Sequence, residues 1–333
     1  MSLQTRPLHP TLACEIEGLP LWEPLDAATV AELRQLWSNW GVLVFRRQAL
    51  SEAELAAFCA LFGPLERTVR SDWASPSVPE VTVLSNLKDG FGHPIGGLGD
   101  GELQWHSDQS YMVQPATGAA LYALELPPEG GETFWVDLRA AYGAMPRRLR
   151  ARLSGQRGIF DYTKRLAGYG RDSDQHISEE ARAQTPPVTH ALVRAHPETG
   201  DRSLYLDSTT TVGIDGMDPI SGPALLEEVY AAATRDEFVY AHEWRVGDLV
   251  LWDNGFTMHR RTPFEPGARR GVVRMQPKGF RELCDRQVVV LTVLGRLAAV
   301  EGAGRGATAG QQADDCEHCR AVAAETLRNV GTR

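Results

Sequence analysis

Two histidines and one aspartate define the chemistry open to this sequence. His106 and Asp108 form an H-x-D pair inside Trp105-His106-Ser107-Asp108, and His259 closes the later run Trp252-Asp253-Asn254-Gly255-Phe256-Thr257-Met258-His259. Two imidazoles and one carboxylate on one face of a divalent ion are the ligand set of the non-haem Fe(II) facial triad. Residues i and i+2 of a strand point the same way, so His106 and Asp108 are expected to reach one ion from one strand. The other coordination positions stay open for a bidentate co-substrate and O2. An open site means chemistry rather than structural support.

Arg270 follows His259 by eleven residues, and a guanidinium fork suits two-bond capture of a carboxylate. Thr133, after Gly130-Gly131-Glu132, can give the same carboxylate a hydroxyl. Arg269-Arg270 is also a basic doublet of the kind that forms surface ion pairs; beside the triad, carboxylate capture is the better reading. The remaining histidines singled out, His9, His93, His176 and His196, are read as solvated or hydrogen-bonded structural groups.

The elements that must hold these residues are mostly short strands. An amphipathic helix is expected over 26–40, with Asp26 as N-cap and Val30, Leu33, Leu36 and Trp37 at helical spacing. Gly41 hands over to a strand at 42–45, and Ser51 with Glu54 forms a capping box opening a second helix with Leu55, Phe58, Leu61 and Phe62 on one side. Strands follow at 81–84, 119–124, 132–136, 158–162, 190–195, 203–206, 238–242, 248–252 and 270–276, interrupted by helices at 138–153 and 223–235. This pattern predicts a mainly β protein with flanking helices, closed or double-sheeted and antiparallel rather than built of βαβ units. Residues 86–104, with six glycines, and the polar stretch 164–187 are expected to be mobile and to border the entrance. Residues 1–300 are read as one domain and 301–333 as a flexible tail.

The 333 residues carry a net charge of -9, with 43% hydrophobic and 23% charged residues. That is ordinary globular composition. The negative balance argues against nucleic acid or an anionic membrane as partner. No apolar run has the length of a membrane span, and the first residues lack a signal-peptide core. Five scattered cysteines (Cys14, Cys59, Cys284, Cys316 and Cys319) read as reduced thiols of a cytoplasmic protein. Cys316 and Cys319 form a single C-x-x-C, weak evidence for zinc. A homo-oligomer stays open.

In order and spacing, W-H-S-D, P-P-E-G-G-E-T-F-W, T-H-A-L-V-R-A-H-P-E-T-G, G-D-L-V-L-W-D-N-x4-H and R-R-G-V-V-R resemble the taurine dioxygenase (TauD/TfdA) family of Fe(II)- and 2-oxoglutarate-dependent oxygenases, over about residues 12–282. The resemblance implies a double-stranded β-helix, or jelly roll. It implies that His106, Asp108 and His259 bind iron and that Thr133 and Arg270 hold the distal carboxylate of 2-oxoglutarate, with O2 as second co-substrate. Arg274, four residues past Arg270 on the same strand face, matches a position near the substrate, often facing an anionic group; a buried arginine paired with an internal acid is the competing reading. The reaction implied is oxidation of a small-molecule substrate with release of succinate and CO2. The intact Asp108 argues against halogenation, because halogenating relatives carry a small residue there. The run before Trp105 departs from the taurine-recognising pattern, and its Asp100 and Glu102 read as solvated loop acids. A metal hydrolase or lyase, or a binding module with a structural metal, are the rival classes; neither needs Thr133 and Arg270.

Overall fold

Alternation of side chains places every strand of the core between two layers. In the computed structural model, which describes residues 2–67, 71–97, 99–168, 183 and 185–278, the strands are β1 (Gln4–Pro7), β2 (Cys14–Glu17), β3 (Val42–Phe45), β4 (Thr82–Ser85), β5 (Leu103–His106), β6 (Gly118–Glu125), β7 (Thr133–Asp137), β8 (Arg157–Phe160), β9 (Val188–Ala191), β10 (Val193–Ala195), β11 (Arg202–Leu204), β12 (Thr211–Ile214), β13 (Val239–His242), β14 (Leu249–Asp253), β15 (Thr257–Arg261) and β16 (Gly271–Met275). The helices are α1 (Ala27–Trp40), α2 (Glu52–Ala60), α3 (Leu138–Ala144), α4 (Arg147–Leu153), α5 (Tyr162–Gly168) and α6 (Ser221–Ala233).

Two sheets face each other. A seven-stranded sheet runs β1-β2-β3-β14-β6-β16-β4, and a four-stranded sheet runs β13-β7-β15-β5. Val42 and Val44 of β3, Ala119 and Leu121 of β6, Val250 and Trp252 of β14 and Val272 of β16 point inward, where they meet Trp135 and Tyr240 of the smaller sheet. The intervening residues Leu43, Phe45, Leu249, Leu251, Val273 and Met275 point outward and are covered by Leu33 and Trp37 of α1 and Leu55 and Phe58 of α2. On the other side Val136 and Met258 pack under α3, α4 and α6. β3, β6 and β14 therefore read as nearly continuous apolar runs, because both of their faces are buried. Two facing, largely antiparallel sheets make this a mainly β jelly roll.

The local signals explain the helices. Asp26 accepts from Thr29 N at 2.7 Å, and Gly41 closes α1 in the left-handed region at φ 70°. A Cβ at Gly41 would also lie 2.4 Å from the Phe256 ring, so packing and conformation exclude other residues together. Ser51 and Glu54 make the reciprocal capping box of α2.

Three expectations need correction. The helix expected over 138–153 is two helices, because Met145 precedes Pro146 and takes an extended ψ of 143°. The strand expected over 190–195 divides at Leu192, with β9 paired to β8 and β10 to β11. The strand expected over 158–162 stops at Phe160, and Tyr162 opens α5. All described residues fall in one compact unit, Met1–Val288. The tail over 301–333, with Cys316 and Cys319, as well as His176 and most of 164–187, lie outside the described residues.

Candidate metal centre and co-substrate pocket

Pairing between β5 and β15 sets His106 directly opposite His259. The two rings stand 4.1 Å apart, centroid to centroid. Asp108 arrives differently from the expectation. The strand ends at His106, and Asp108 occupies the turn that follows, with Gln109 left-handed at φ 55°. The turn, not strand alternation, brings the carboxylate round to the imidazoles. Asp108 Oδ1 lies 4.0 Å from His106 Nε2, Asp108 Oδ2 lies 4.0 Å from His259 Nε2, and one ligand atom from each of the three falls within 4.8 Å of the others.

The donor set fits a divalent ion on three counts. The Gln104 carbonyl can only accept, so His106 Nδ1 donates its proton there at 2.7 Å and leaves the Nε2 lone pair facing Asp108. Asp108 Oδ2 and His259 Nδ1 are buried with no hydrogen-bond partner among the described residues, and a buried carboxylate oxygen without a partner is costly unless something binds it. Third, both imidazoles are held neutral, the form that ligates metal. Burial and then the neighbouring His259 push the His106 pKa down to about 3, and burial pushes His259 down to about 4 against the opposing pull of Asp108. Burial alone would raise Asp108, but the charge of Arg274, with that of Arg165, outweighs it and holds the carboxyl below its ordinary range.

The walls are aromatic. Trp252 lies 4.8 Å and Trp135 6.4 Å from the His259 ring, centroid to centroid. Arg270 and Arg274 both point inward from β16 or its start, alternating with the outward Val273 and Met275. Arg270 is 3% exposed, and its Nε has no hydrogen-bond partner among the described residues. Burial, then the charge of Arg261, pushes its pKa down to about 9. The guanidinium still keeps its proton at neutral pH. What results is a buried cation with no ion-pair partner among the described residues, beside Gly131, where a Cβ would come within 3.7 Å of the Arg270 Nε. Gly130 and Gly131 are both left-handed (φ 77° and 75°), which lets the chain turn there. Thr133 is buried on β7 opposite Arg261 of β15.

Arg274 combines both readings made of it. It pairs with an internal acid, but that acid is Asp108, at 2.8 Å, and its side chain remains 14% exposed. His196 is a buried structural histidine bonded to Asp253 at 3.3 Å, and His93 is a surface group against Asp89. Asp100 stays a loop acid, its carbonyl accepting from Phe264 N at 3.1 Å.

Sequence reasoning missed several residues around this site. Trp244 donates its indole N–H to Thr133 Oγ1 at 3.0 Å. Behind it His242 meets the indole edge-on at 4.6 Å and is bonded to Asp248 (3.1 Å) and to the Tyr240 hydroxyl (2.8 Å). Arg165 of α5 lies near enough for its charge to act on all three triad residues. Arg261 ties the glycine-rich segment to the barrel through the carbonyls of Gly99, at 2.7 Å, and Gly101.

Antiparallel facing sheets with an open two-histidine, one-carboxylate cluster between them define a jelly-roll metalloenzyme of the oxygenase type. The profile of the "Taurine catabolism dioxygenase TauD, TfdA family" matches residues 4–276. The alpha-ketoglutarate-dependent 2,4-dichlorophenoxyacetate dioxygenase of Cupriavidus pinatubonensis is 36% identical over 283 residues, 82% of this chain and 97% of its own length. Pentalenolactone F synthase of Streptomyces avermitilis is 31% identical, over 77% of this chain and 87% of its own. Among solved structures, AAD-2 in complex with Mn(II) and N-oxalylglycine superposes with a TM-score of 0.71 at 29% identity, covering 85% of this chain and all of that one. The chain belongs to the TauD/TfdA family. It is an Fe(II)- and 2-oxoglutarate-dependent dioxygenase, using Fe(II) as cofactor with 2-oxoglutarate and O2 as co-substrates and acting on a small molecule. The hydrolase, lyase and binding-module alternatives fall away with that assignment. No helix among the described residues is long and apolar enough to cross a membrane.

Proposed function

We propose that this dioxygenase oxidises a C–H bond of a small organic substrate carrying an anionic group, with His106, Asp108 and His259 as the iron ligands and Thr133 and Arg270 as the anchor for the distal carboxylate of 2-oxoglutarate. Bound to the triad, the iron with 2-oxoglutarate and O2 supplies the oxidation, and succinate and CO2 leave. The remaining work belongs to the protein. His106 presents Nε2 because Gln104 holds its Nδ1 proton. Arg270 supplies two parallel donors in a dry pocket, where charge-assisted bonds are strongest. Trp244 fills an acceptor position on Thr133, so the threonine hydroxyl proton is left to donate to the co-substrate. Trp135 and Trp252 keep water from the ring of His259.

The observation that carries the anionic substrate is Arg274, a partly exposed guanidinium at the metal-binding carboxylate, with the charge of Arg165 acting on the same residues. An Asp108 engaged by iron gives up part of its charge, and Arg274 then needs another anion. The relatives named for 2,4-dichlorophenoxyacetate and (S)-phenoxypropionate act on carboxylates, which supports the same reading. We further read residues 1–300 as one catalytic domain, cytoplasmic and without nucleic-acid or membrane partners. A screen of organic acids and their neutral methyl esters for substrate-triggered succinate formation tests the proposal. Acids should trigger turnover, and Arg274→Gln should raise their KM by about tenfold or more. Esters that match their acids would end the anionic reading.

A further inference from the structure

Next to Arg274 lies a pair of buried amides that the reaction does not use. Gln109 follows the ligand Asp108 and is 5% exposed; Gln276 lies two residues past Arg274 and is 4% exposed. Because Val273 and Met275 pack toward the helices, Arg274 and Gln276 face the interior together. Gln109 Nε2 donates to Gln276 Oε1 at 3.3 Å. Gln109 Oε1, Gln276 Nε2 and Arg274 Nε are buried without a partner among the described residues. Exchanging oxygen and nitrogen in both amides changes nothing essential: one amide–amide bond always leaves one carbonyl and one NH2 over.

Gln109 also holds a left-handed backbone, φ 55°, which is uncommon for a residue of its size. That conformation turns the chain between Asp108 and Ser110. The Ser110 hydroxyl is engaged by Asp207 at 2.6 Å, so its neighbours pin the turn while the Gln109 amide is left to Gln276. Native interiors rarely leave three polar atoms of one cluster unsatisfied unless a ligand or ordered water completes them.

We propose that Gln109 and Gln276 form, with Arg274, a specificity subsite for the primary substrate, suited to an oxoanion that carries a hydrogen-bond donor close by, as in a hydroxy acid or an N-acyl amino acid. Arg274 Nε and the free NH2 donate to the oxoanion; the free amide carbonyl accepts from the substrate's O–H or N–H. The inference rests on the anionic-substrate reading above and adds the donor requirement, which an aryloxyacetate lacks. Tyr111 and Tyr162, 4.1 Å apart on the turn after Asp108 and at the start of α5, provide an aromatic wall nearby and favour an aryl group in the probes.

The test measures anaerobic binding, by calorimetry, to the enzyme loaded with Fe(II) and 2-oxoglutarate. The probes are 3-phenylpropanoate and its 2-hydroxy, 3-hydroxy and 2-acetamido derivatives. At least one derivative should bind tenfold or more tighter than the parent acid, since a site built around a substrate O–H or N–H discriminates strongly against its absence. Gln109→Met with Gln276→Met should abolish that preference without lowering the Tm of the apo-protein, because both buried amides leave together. Gln109→Asn, whose side chain tolerates the left-handed region, should weaken the preference with the turn intact. Equal binding of parent and derivatives, or a preference that survives the double substitution, overturns the subsite and leaves an amide pair around a buried water. If Arg274→Gln then still weakens every acid, the anionic reading stands alone. Binding of none of the probes overturns both.

Discussion

Replacing Arg270 by methionine should make the apo-protein more stable and the co-substrate complex weaker. Methionine keeps most of the apolar stem and removes the charge. The strand connection does not depend on the guanidinium, since the Arg270 backbone N–H donates to Asn86 Oδ1 at 3.0 Å and its carbonyl accepts from Ser85 Oγ at 3.0 Å. In the apo-protein the buried guanidinium has its pKa depressed to about 9 by burial and by Arg261. At about 1.4 kcal/mol per tenfold change in proton affinity, that depression is worth at most about 5 kcal/mol of unfavourable charge burial. Relaxation and water entry reduce it, so a gain of about 1–3 kcal/mol is expected, near 2–4 °C in Tm for each kcal/mol. The complex behaves oppositely. Two charge-assisted bonds at about 1.5–3 kcal/mol each imply a loss of 2-oxoglutarate affinity of about 10²–10⁴-fold. Thermal melts of the Mn(II)-loaded protein with and without 2-oxoglutarate read both effects at once. Wild type at a hundred times its Kd should gain about 2.7 kcal/mol, and the variant no more than about 0.4 kcal/mol at the same concentration. An apo-variant less stable than wild type would show that Arg270 already has its counter-charge inside the protein. A variant that kept the wild-type co-substrate shift would remove Arg270 as the anchor.

Three further outcomes follow from the same geometry. Trp244→Phe keeps the edge-on contact with His242 but deletes the donor to Thr133; 2-oxoglutarate should bind about 3–10-fold weaker, and in a Thr133→Val background the substitution should add nothing, which a double-mutant cycle measures. Since the folded His106 and His259 titrate near 3 and 4, below their unfolded value of about 6.5, the unfolded chain binds more protons beneath pH 6.5. Apo-stability is then lost as pH falls from about 6.5 toward 3–4, while Mn(II) affinity measured by calorimetry should stay flat from pH 6 to 8, with no imidazole proton released. In hydrogen exchange, the exposed tip at 88–95 of the glycine-rich segment should become protected when substrate binds, whereas the part that Arg261 holds through Gly99 and Gly101 should change little; protection unaltered at the tip would make it an ordinary surface loop.

How much of this site could be read in advance depended on whether a residue acts through its own type or through its neighbours. The convergence of His106, Asp108 and His259 is legible because these residue types in this order suit one metal ion, and Arg270, buried at 3% exposure, stands out because a guanidinium fork suits a carboxylate. The capping residues Asp26 and Ser51 were legible for the same reason: each satisfies helix N–H groups locally. The strand that was to carry both His106 and Asp108 was not correctly read, because nothing in a three-residue spacing distinguishes a continuing strand from a turn. Only Gln109, left-handed after Asp108, reveals the turn. Pro146 does signal the break between the two helices, but the apolar periodicity on both sides of it masks that signal.

Trp244, Gln109 and Gln276 illustrate a harder limit. A tryptophan two residues past a buried strand histidine reads as core, and two glutamines so far apart in the chain carry no local signal. They acquire meaning only when β13 is laid against β7, with His242 opposite Thr133, and when β16 brings Arg274 to Asp108. Long-range pairing decides which polar atoms are left without partners, and in a jelly roll nearly all pairing in the core is long-range. Among the buried polar atoms without a partner in the described residues are Asp108 Oδ2, His259 Nδ1, Arg270 Nε, Arg274 Nε, Gln109 Oε1 and Gln276 Nε2. A buried polar atom left without a partner weakens the empty protein, so whatever completes it, ordered water or ligand, returns stability on binding.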